Sequence, residues 1–184
     1  MKKIMFSDYY CLTQAVLEGK KTMTRRLLKN GTPLGNWEET EKHLPYKVGE
    51  IVAIAQPYKD IIEYLPMYSD AILDEVGMPR KEYKMGWTNK MFVKADLMPH
   101  HIKITDVMVE RLQDILENEC LKEGLRLSGN GRFYFQQMVA YKISVNRYFD
   151  TPREAFWYLI DKISGKGIWE SNPWVVAYSF ELVD

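Results

Sequence analysis

The chain has 184 residues, with 25 Lys plus Arg, 25 Asp plus Glu and a formal net charge of zero. This balance excludes bulk attraction to a polyanion, so any nucleic-acid binding must come from a local basic patch. A hydrophobic content of 46% excludes wholesale disorder and suffices for one ordinary core. We therefore expect a single domain over residues 1–184.

The N-terminus lacks the apolar segment of a secretory signal, and no apolar run approaches the length of a membrane span. These features predict a cytoplasmic protein without membrane association. Cys11 and Cys120 lie in apolar patterns and are expected to be core thiols. His100 and His101 are adjacent, so their side chains diverge in an extended segment, and His43 is distant in sequence. We predict no metal site and no cofactor.

Residues 19–26 carry four cations and two hydroxyls directly after an amphipathic pattern of helical spacing. Gly19 can adopt the left-handed conformation that commonly ends a helix. The helix dipole favours cations at that end, but four in eight residues exceed what it requires. The stretch is therefore either a solvated basic face or a site for phosphate or carboxylate oxygens. Its cations are Lys20, Lys21, Arg25 and Arg26.

The middle of the chain alternates between strand signals and irregular sequence. Residues 47–55 predict a strand that follows a tight turn at Gly49, and residues 102–110 predict another. Between them, residues 56–90 indicate a surface insertion. A helix is expected after the second strand, over about residues 114–124, because Asp114 and Glu117 have capping-box spacing and Gly124 can end the segment.

The last third of the chain begins with a second predicted insertion over residues 128–150, which is rich in aromatic residues without a clean period. Thr151, Pro152 and Glu154 then combine three helix-start signals, so a helix is expected there. Residues 174–182 predict a terminal strand. Together, the predicted helices and strands indicate the α+β class.

Five segments in this order resemble bacterial and phage members of the ASCH superfamily. They are residues 19–26, residues 48–50, residues 97–99, residues 109–115 with the following Glu123 and Gly124, and residues 169–175. The resemblance implies a compact PUA-like β-barrel with flanking helices, from which the two insertions emerge. It covers most of the chain except residues 56–90 and 128–150.

The resemblance implies, first, binding of single-stranded RNA or of a modified nucleoside or nucleotide in a cleft beside the first helix. Phosphate contacts would then come from Lys20, Lys21, Arg25 and Arg26. A base would stack on an aromatic residue such as Trp37, Tyr46 or Trp87. For these aromatic residues, burial in the core is the alternative.

The second implied function is hydrolysis, because small ASCH proteins include amidohydrolases that deacetylate N(4)-acetylcytidine. Their reacting groups correspond to Lys21, Thr24 and Glu123. Thr24 would attack the acyl carbon, Lys21 would accept its proton, and Glu123 would relay a proton or hold the amine. In a regular strand, however, Lys21 and Thr24 point to opposite faces, so only the turn after Gly19 would bring them together.

Overall fold

The computed structural model describes residues 1–64, 73–74, 76–81 and 83–184. The described residues form helices and several sheets, which confirms the α+β class. They divide into two compact units. The first contains Met1–Phe6, Ile51–Ile102 and Leu182–Asp184, and the second contains Ser7–Glu50 and Lys103–Glu181. The single domain over residues 1–184 stays a prediction.

Strands and helices are mixed along the chain. The strands are β1 (Lys3–Ile4), β2 (Met23–Leu27), β3 (Ile51–Ile54), β4 (His101–Arg111), β5 (Arg126–Leu127), β6 (Phe133–Tyr134), β7 (Gln137–Val139), β8 (Lys142–Ser144), β9 (Tyr148–Phe149) and β10 (Trp174–Leu182). The described α-helices are α1 (Leu12–Leu17), α2 (Trp37–His43), α3 (Tyr58–Ile61), α4 (Lys84–Thr88), α5 (Glu117–Lys122), α6 (Pro152–Ser164) and α7 (Ile168–Ser171).

In the first unit, β1 pairs in parallel with β3, and the Ile54 amide donates to the His100 carbonyl just before β4 (2.9 Å). A core of six buried residues packs beside these strands: Ala53, Ala55, Tyr58, Ile61, Val93 and Met98. The predicted insertion at residues 56–90 belongs to this unit. Within it, residues 65–72, 75 and 82 lie outside the described part of the chain.

In the second unit, β4, β10 and β2 lie in that order, and β10 is antiparallel to β2. Helices α5 and α6 cover a core formed by Leu112, Ile115, Cys120, Phe156, Ile160, Trp169 and Val175. The segment 128–150 forms β6 to β9, of which β6 and β9 pair with each other and β7 and β8 form a hairpin. No closed barrel is present among the described strands, so the PUA-like barrel stays unconfirmed.

The elements with strong local signals are confirmed. Helix α6 begins after Thr151, whose hydroxyl accepts from the Glu154 amide (3.2 Å), and β10 spans the predicted residues. The helix expected from Asp114 begins later, at Glu117, because Leu112–Asp114 form a 3₁₀ turn. Glu119, and not Glu117, makes the capping-box contact at the helix start, since its Oε2 accepts from the Leu116 amide (3.1 Å).

Within the ranges described above, no helix combines the length and hydrophobicity needed to cross a bilayer. The same residues contain no group of three or more His, Cys, Asp or Glu side chains suited to hold a metal ion. His101 Nδ1 lies 2.6 Å from Asp184 Oδ2, and the His100 ring meets the Tyr64 ring edge-on at 5.2 Å.

Candidate functional site

Helix α1 ends where the basic stretch begins. Gly19 adopts φ 68°, its amide donates to Val16 O (2.9 Å), and the Lys20 amide donates to Ala15 O (2.8 Å). This pair of bonds is the Schellman pattern of a helix end, which confirms the predicted role of Gly19. The chain then turns so that Lys21 forms an isolated antiparallel bridge with Glu123, beyond the end of α5. Two residues 102 positions apart are therefore neighbours.

The Lys21 side chain is buried, with only 2% of its surface exposed. Its Nζ lies 2.6 Å from Glu123 Oε2 and also donates to Glu123 O (3.0 Å) and Met23 O (2.7 Å). An ammonium has three N–H donors, so these three acceptors match its capacity. Burial nevertheless lowers the pKa of Lys21. The Glu123 carboxylate opposes this shift, while the neighbouring charges of Arg26 and Arg25 add to it.

Arg25 is held by three carboxylates, and its side chain is fully buried. Its Nε donates to Glu110 Oε1 (2.7 Å), its Nη1 to Glu123 Oε1 (3.2 Å) and its Nη2 to Glu119 Oε2 (2.6 Å). Burial alone favours a neutral guanidinium, but the carboxylates, led by Glu123 and Glu110, raise the pKa of Arg25 above its ordinary value. Arg25 is therefore a permanent buried cation with one carboxylate at each nitrogen.

Glu123 connects these two cations. Its Oε2 binds Lys21 and its Oε1 binds Arg25, and only 4% of its side chain is exposed. We call the five residues Lys21, Arg25, Glu110, Glu119 and Glu123 the buried ion network. Two of its members were not predicted from the sequence, namely Glu110 and Glu119. A signal for Glu119 existed, because it lies four residues before Glu123 and two carboxylates at that spacing repel each other unless a cation joins them.

Thr24 lies on β2 beside Arg25 and is buried, with 6% of its surface exposed. Side chains alternate along a strand, so Thr24 and Arg26 face away from the ion network that Arg25 enters. On that face, Thr24 is opposite Tyr178 of β10, whose pKa burial raises to about 12. Tyr178 packs edge-on against Tyr46 with 5.3 Å between ring centroids. The structure thus joins Lys21 to Glu123 and sets Thr24 on the other face of β2.

The backbone nevertheless links Lys21 to Thr24. The carbonyl that accepts from Lys21 Nζ is that of Met23, which belongs to the peptide bond joining Met23 to Thr24. The amine therefore lies beside the strand backbone at Thr24 rather than deep on the far side of the network.

The contacts of the basic stretch differ from those of an open phosphate site. Lys21 and Arg25 are buried against carboxylates, which argues against direct phosphate contacts from these two residues. Lys20 is exposed, and its Nζ lies 2.7 Å from Glu18 Oε2. Hydrogen bonds from Lys20 and Arg126 lower the pKa of Glu18 to about 2. Arg26 is half-buried and its charge acts on Lys21.

The aromatic residues named as stacking candidates have three different settings. Tyr46 is buried against Tyr178 and belongs to the core of the second unit. Trp87 packs against the core of the first unit. Trp37 lies on α2 with 46% of its surface exposed. Trp37 is therefore the most exposed of the three, because Tyr46 is buried and Trp87 is half-buried.

Gly124 directly follows Glu123 and constrains its position. We expect Gly124→Ala to destabilise the second unit by about 1–3 kcal/mol. Gly124 has φ +99°, and an added Cβ would lie 3.1 Å from Leu12 Cδ2. Urea denaturation of the variant beside Gly131→Ala provides the measurement, because Gly131 has φ +80° with nothing within 4 Å of an added Cβ. Equal losses in the two variants would mean that backbone strain alone, and not packing beside Glu123, constrains Gly124.

No family model matches this chain, and no curated protein matches it either. Among solved structures, it is similar to a DUF984 protein from Enterococcus faecalis V583, with 16% identity and a TM-score of 0.43 over 94% of this chain and 67% of that one. It is also similar to an ASCH domain from Lactobacillus crispatus JV V101, with 13% identity and a TM-score of 0.41 over 96% of this chain and 75% of that one. An ASCH domain is thus among the solved structures that this chain resembles.

Proposed function

We propose that this protein is an amidohydrolase that removes an acyl group from the exocyclic amine of a modified nucleoside such as N(4)-acetylcytidine. The observation that carries the proposal is the buried contact of 2.6 Å between Lys21 Nζ and Glu123 Oε2, directly before β2. The substrate class comes from the resemblance of the sequence motifs. The acid–base chemistry is supported by the geometry and burial of the pair.

A general base must lose its proton near the working pH. An ordinary lysine has a pKa of about 10.4 and stays charged at neutral pH, which makes it a poor base. Burial moves the pKa of Lys21 in the useful direction. The adjoining Glu123 carboxylate gives the departing proton a second acceptor within hydrogen-bond distance. The pair can therefore hold a proton and return it, which an amide hydrolase requires when the amine leaves.

The proposed reaction consumes one water and yields one carboxylic acid and one free amine. Thr24 Oγ1 attacks the acyl carbon and Lys21 accepts its proton. The bond between the acyl carbon and the exocyclic nitrogen then breaks, and the nitrogen takes the proton from Lys21. Water next attacks the Thr24 ester, releases the acid and restores the hydroxyl. Arg26, which shares the strand face of Thr24, offers a cation for the oxyanion.

Two conformational changes are required, because Thr24 is buried with 6% of its surface exposed and its face must also open to admit the substrate. The Lys21 amine donates to the Met23 carbonyl and lies on the face of β2 opposite Thr24. To accept the Thr24 proton, it must leave that carbonyl and turn towards Thr24. A lysine stem has four rotatable carbon bonds, and the turn starts beside the Met23–Thr24 peptide bond. Substrate binding on the Thr24 face is the event that we expect to drive it.

Binding of RNA through the basic stretch, without catalysis, is the weaker candidate. Phosphate contacts need cations that reach solvent, whereas two of the four cations are buried in the ion network. Lys20 and Arg26 would have to supply the binding alone. We therefore favour the catalytic interpretation of Lys21 over its interpretation as a phosphate ligand.

We expect the purified full chain to convert N(4)-acetylcytidine to equal amounts of cytidine and acetate. Chromatography of the nucleosides and an enzymatic acetate assay measure the two products independently. 5′-O-acetylcytidine is the matched control, because it carries the same acyl group on an oxygen and reports unspecific esterase activity. Absence of acetate from N(4)-acetylcytidine, from other N-acylated nucleosides and from an acetylated RNA oligonucleotide would overturn the proposal.

A further inference from the structure

The second unit contains a groove of about 740 Å³ along one face of α6. Five lining residues follow helical spacing on α6, so the face that they form is continuous. They are Glu154, Trp157, Tyr158, Asp161 and Lys162, and Gly165 follows the end of the helix. The opposite face of α6 enters the core through Phe156 and Ile160. The helix therefore separates a packed face from a face that lines an open groove.

Aromatic rings line this groove and are accessible. Trp157 has 42% of its surface exposed, and Tyr148 of β9 has 41% exposed. Phe149 and Tyr158 add a more buried part of the lining, with 5.2 Å between their ring centroids. The Trp157 ring is held from behind, because it stacks on Trp169 at an angle of 26°. Rigid, exposed rings in a groove offer flat surfaces on which another planar group can stack.

Cations surround the same rings. Arg147 lies 5.2 Å from the Phe149 ring, and Lys162 lies 5.5 Å from the Tyr158 ring. Arg132 and Lys166 also line the groove. Its ligand therefore meets positive charge directly beside aromatic surface.

The groove also contains three carboxylates, two of which have partners within the fold. Asp150 Oδ1 lies 2.9 Å from Arg132 Nε. Asp161 accepts from the Gly167 amide (3.1 Å) and the Trp169 amide (2.9 Å), where it orders the turn after α6. Glu154 is exposed at the first turn of α6. With Asp150 paired to Arg132, the cations Arg147, Lys162 and Lys166 stand against two carboxylates, those of Glu154 and Asp161.

We propose that this groove binds a nucleobase together with its phosphate, either as a free nucleotide or within single-stranded RNA. Stacking on Trp157 and Tyr148 recognises the base, and the adjacent cations bind the phosphate. The volume fits a small-molecule site and admits one or two nucleotides. The proposal goes beyond the hydrolase function, because the groove uses none of the residues Lys21, Thr24 and Glu123.

Fluorescence anisotropy of the full chain with a labelled ten-nucleotide single-stranded RNA tests this groove. We expect saturable binding, which Trp157→Ala weakens about 5-fold to 150-fold. Trp174→Ala is the matched control, because Trp174 is similarly exposed, at 37%, but does not line the groove. Tyr148→Ser repeats the test on a second ring in case Trp157→Ala fails to fold, which circular dichroism reports.

The salt dependence tests the cations. Arg147→Gln combined with Lys162→Gln should reduce the slope of log affinity against log salt by about 1.4, at ~0.7 per phosphate contact. Lys103→Gln combined with Lys142→Gln removes the same charge from exposed positions outside the groove and should leave the slope nearly unchanged. Equal effects of the two double variants would overturn the proposal, because they would indicate unspecific charge attraction.

Competitors identify the source of the ligand. Competition by cytidine or adenosine monophosphate at the affinity of the RNA indicates a free nucleotide, whereas competition by unlabelled RNA alone indicates a strand. Equal competition by polyglutamate, or a lack of saturable binding by either probe, would overturn the proposal. The hydrolase proposal fails separately, because a protein that binds RNA here but releases no acetate retains this groove and loses only the reaction.

Discussion

Arg25→Met is expected to lower the free energy of unfolding by about 3–5 kcal/mol. Arg25 is buried and binds Glu110, Glu119 and Glu123 through its three side-chain nitrogens. Methionine keeps much of the stem but leaves these carboxylates close together without their shared cation, and water cannot replace it fully. The midpoint and slope of urea denaturation, followed by circular dichroism, measure the loss.

Two further variants distinguish the effect of the buried ion network from the effect of removing any positive charge. Lys20→Met removes an exposed cation that is paired with Glu18, and it should cost less than about 1 kcal/mol. Arg25→Lys keeps the charge but offers one nitrogen in place of three, so its loss should lie between those of the other two variants. A loss below about 1 kcal/mol for Arg25→Met would mean that the ion network adds no net stability.

The elements predicted best from the sequence are those whose signals are local. Thr151 and Glu154 determine the start of α6 within four residues, and Gly19 ends α1 through bonds to the preceding turn. Strand β10 is predicted by the apolar pattern within its own nine residues. Local signals predict structure well because the residues that carry them also make the contacts that form the helix end or the strand.

The ion network was not predictable in the same way. In the sequence, residues 20–26 have the composition of a basic surface, yet the partners of Arg25 are 85 to 98 residues away. The pairing of Lys21 with Glu123 and the bond from the Thr22 amide to Lys122 O (2.9 Å) bring α5 to β2, where the charges become buried. The motif resemblance named Lys21, Thr24 and Glu123, of which the structure joins Lys21 to Glu123 and sets Thr24 on the other face of β2. It did not give Glu110 or Glu119.

The groove illustrates the reverse case, because its pattern was present in the sequence. Glu154, Trp157, Tyr158, Asp161 and Lys162 recur at helical spacing and oppose the apolar face of α6. The sequence did not indicate which residues form the opposite wall of the groove. The segment 128–150 has no clean period, so nothing predicted that β9 brings Tyr148 and Phe149 to that face.

Thr24→Val and Lys21→Met are expected to produce the largest losses of activity. Thr24→Val keeps the β-branched shape and deletes the attacking oxygen, so deacylation should fall to background. Lys21→Met removes the base and should reduce kcat/KM by about 10²-fold to 10⁴-fold. Glu123 keeps its contact with Arg25 in that variant, so the fold should persist. Thr22→Val, two residues away on the same segment, is the matched control and should retain most activity.

The pH profile of kcat/KM distinguishes a catalytic Lys21 from a structural one. The reactive form is the neutral amine and burial lowers its pKa, so activity should rise with pH and level off below the ordinary lysine value. Lys21→Met should remove this rise from whatever residual activity persists. Stability provides the second readout. The folded state releases the Lys21 proton at lower pH than the unfolded state, so this residue favours folding increasingly as pH rises towards the unfolded pKa. If Lys21→Met and Thr24→Val both turn over the substrate within two-fold of the wild-type rate, both residues have a structural role. The reaction then takes place at another site.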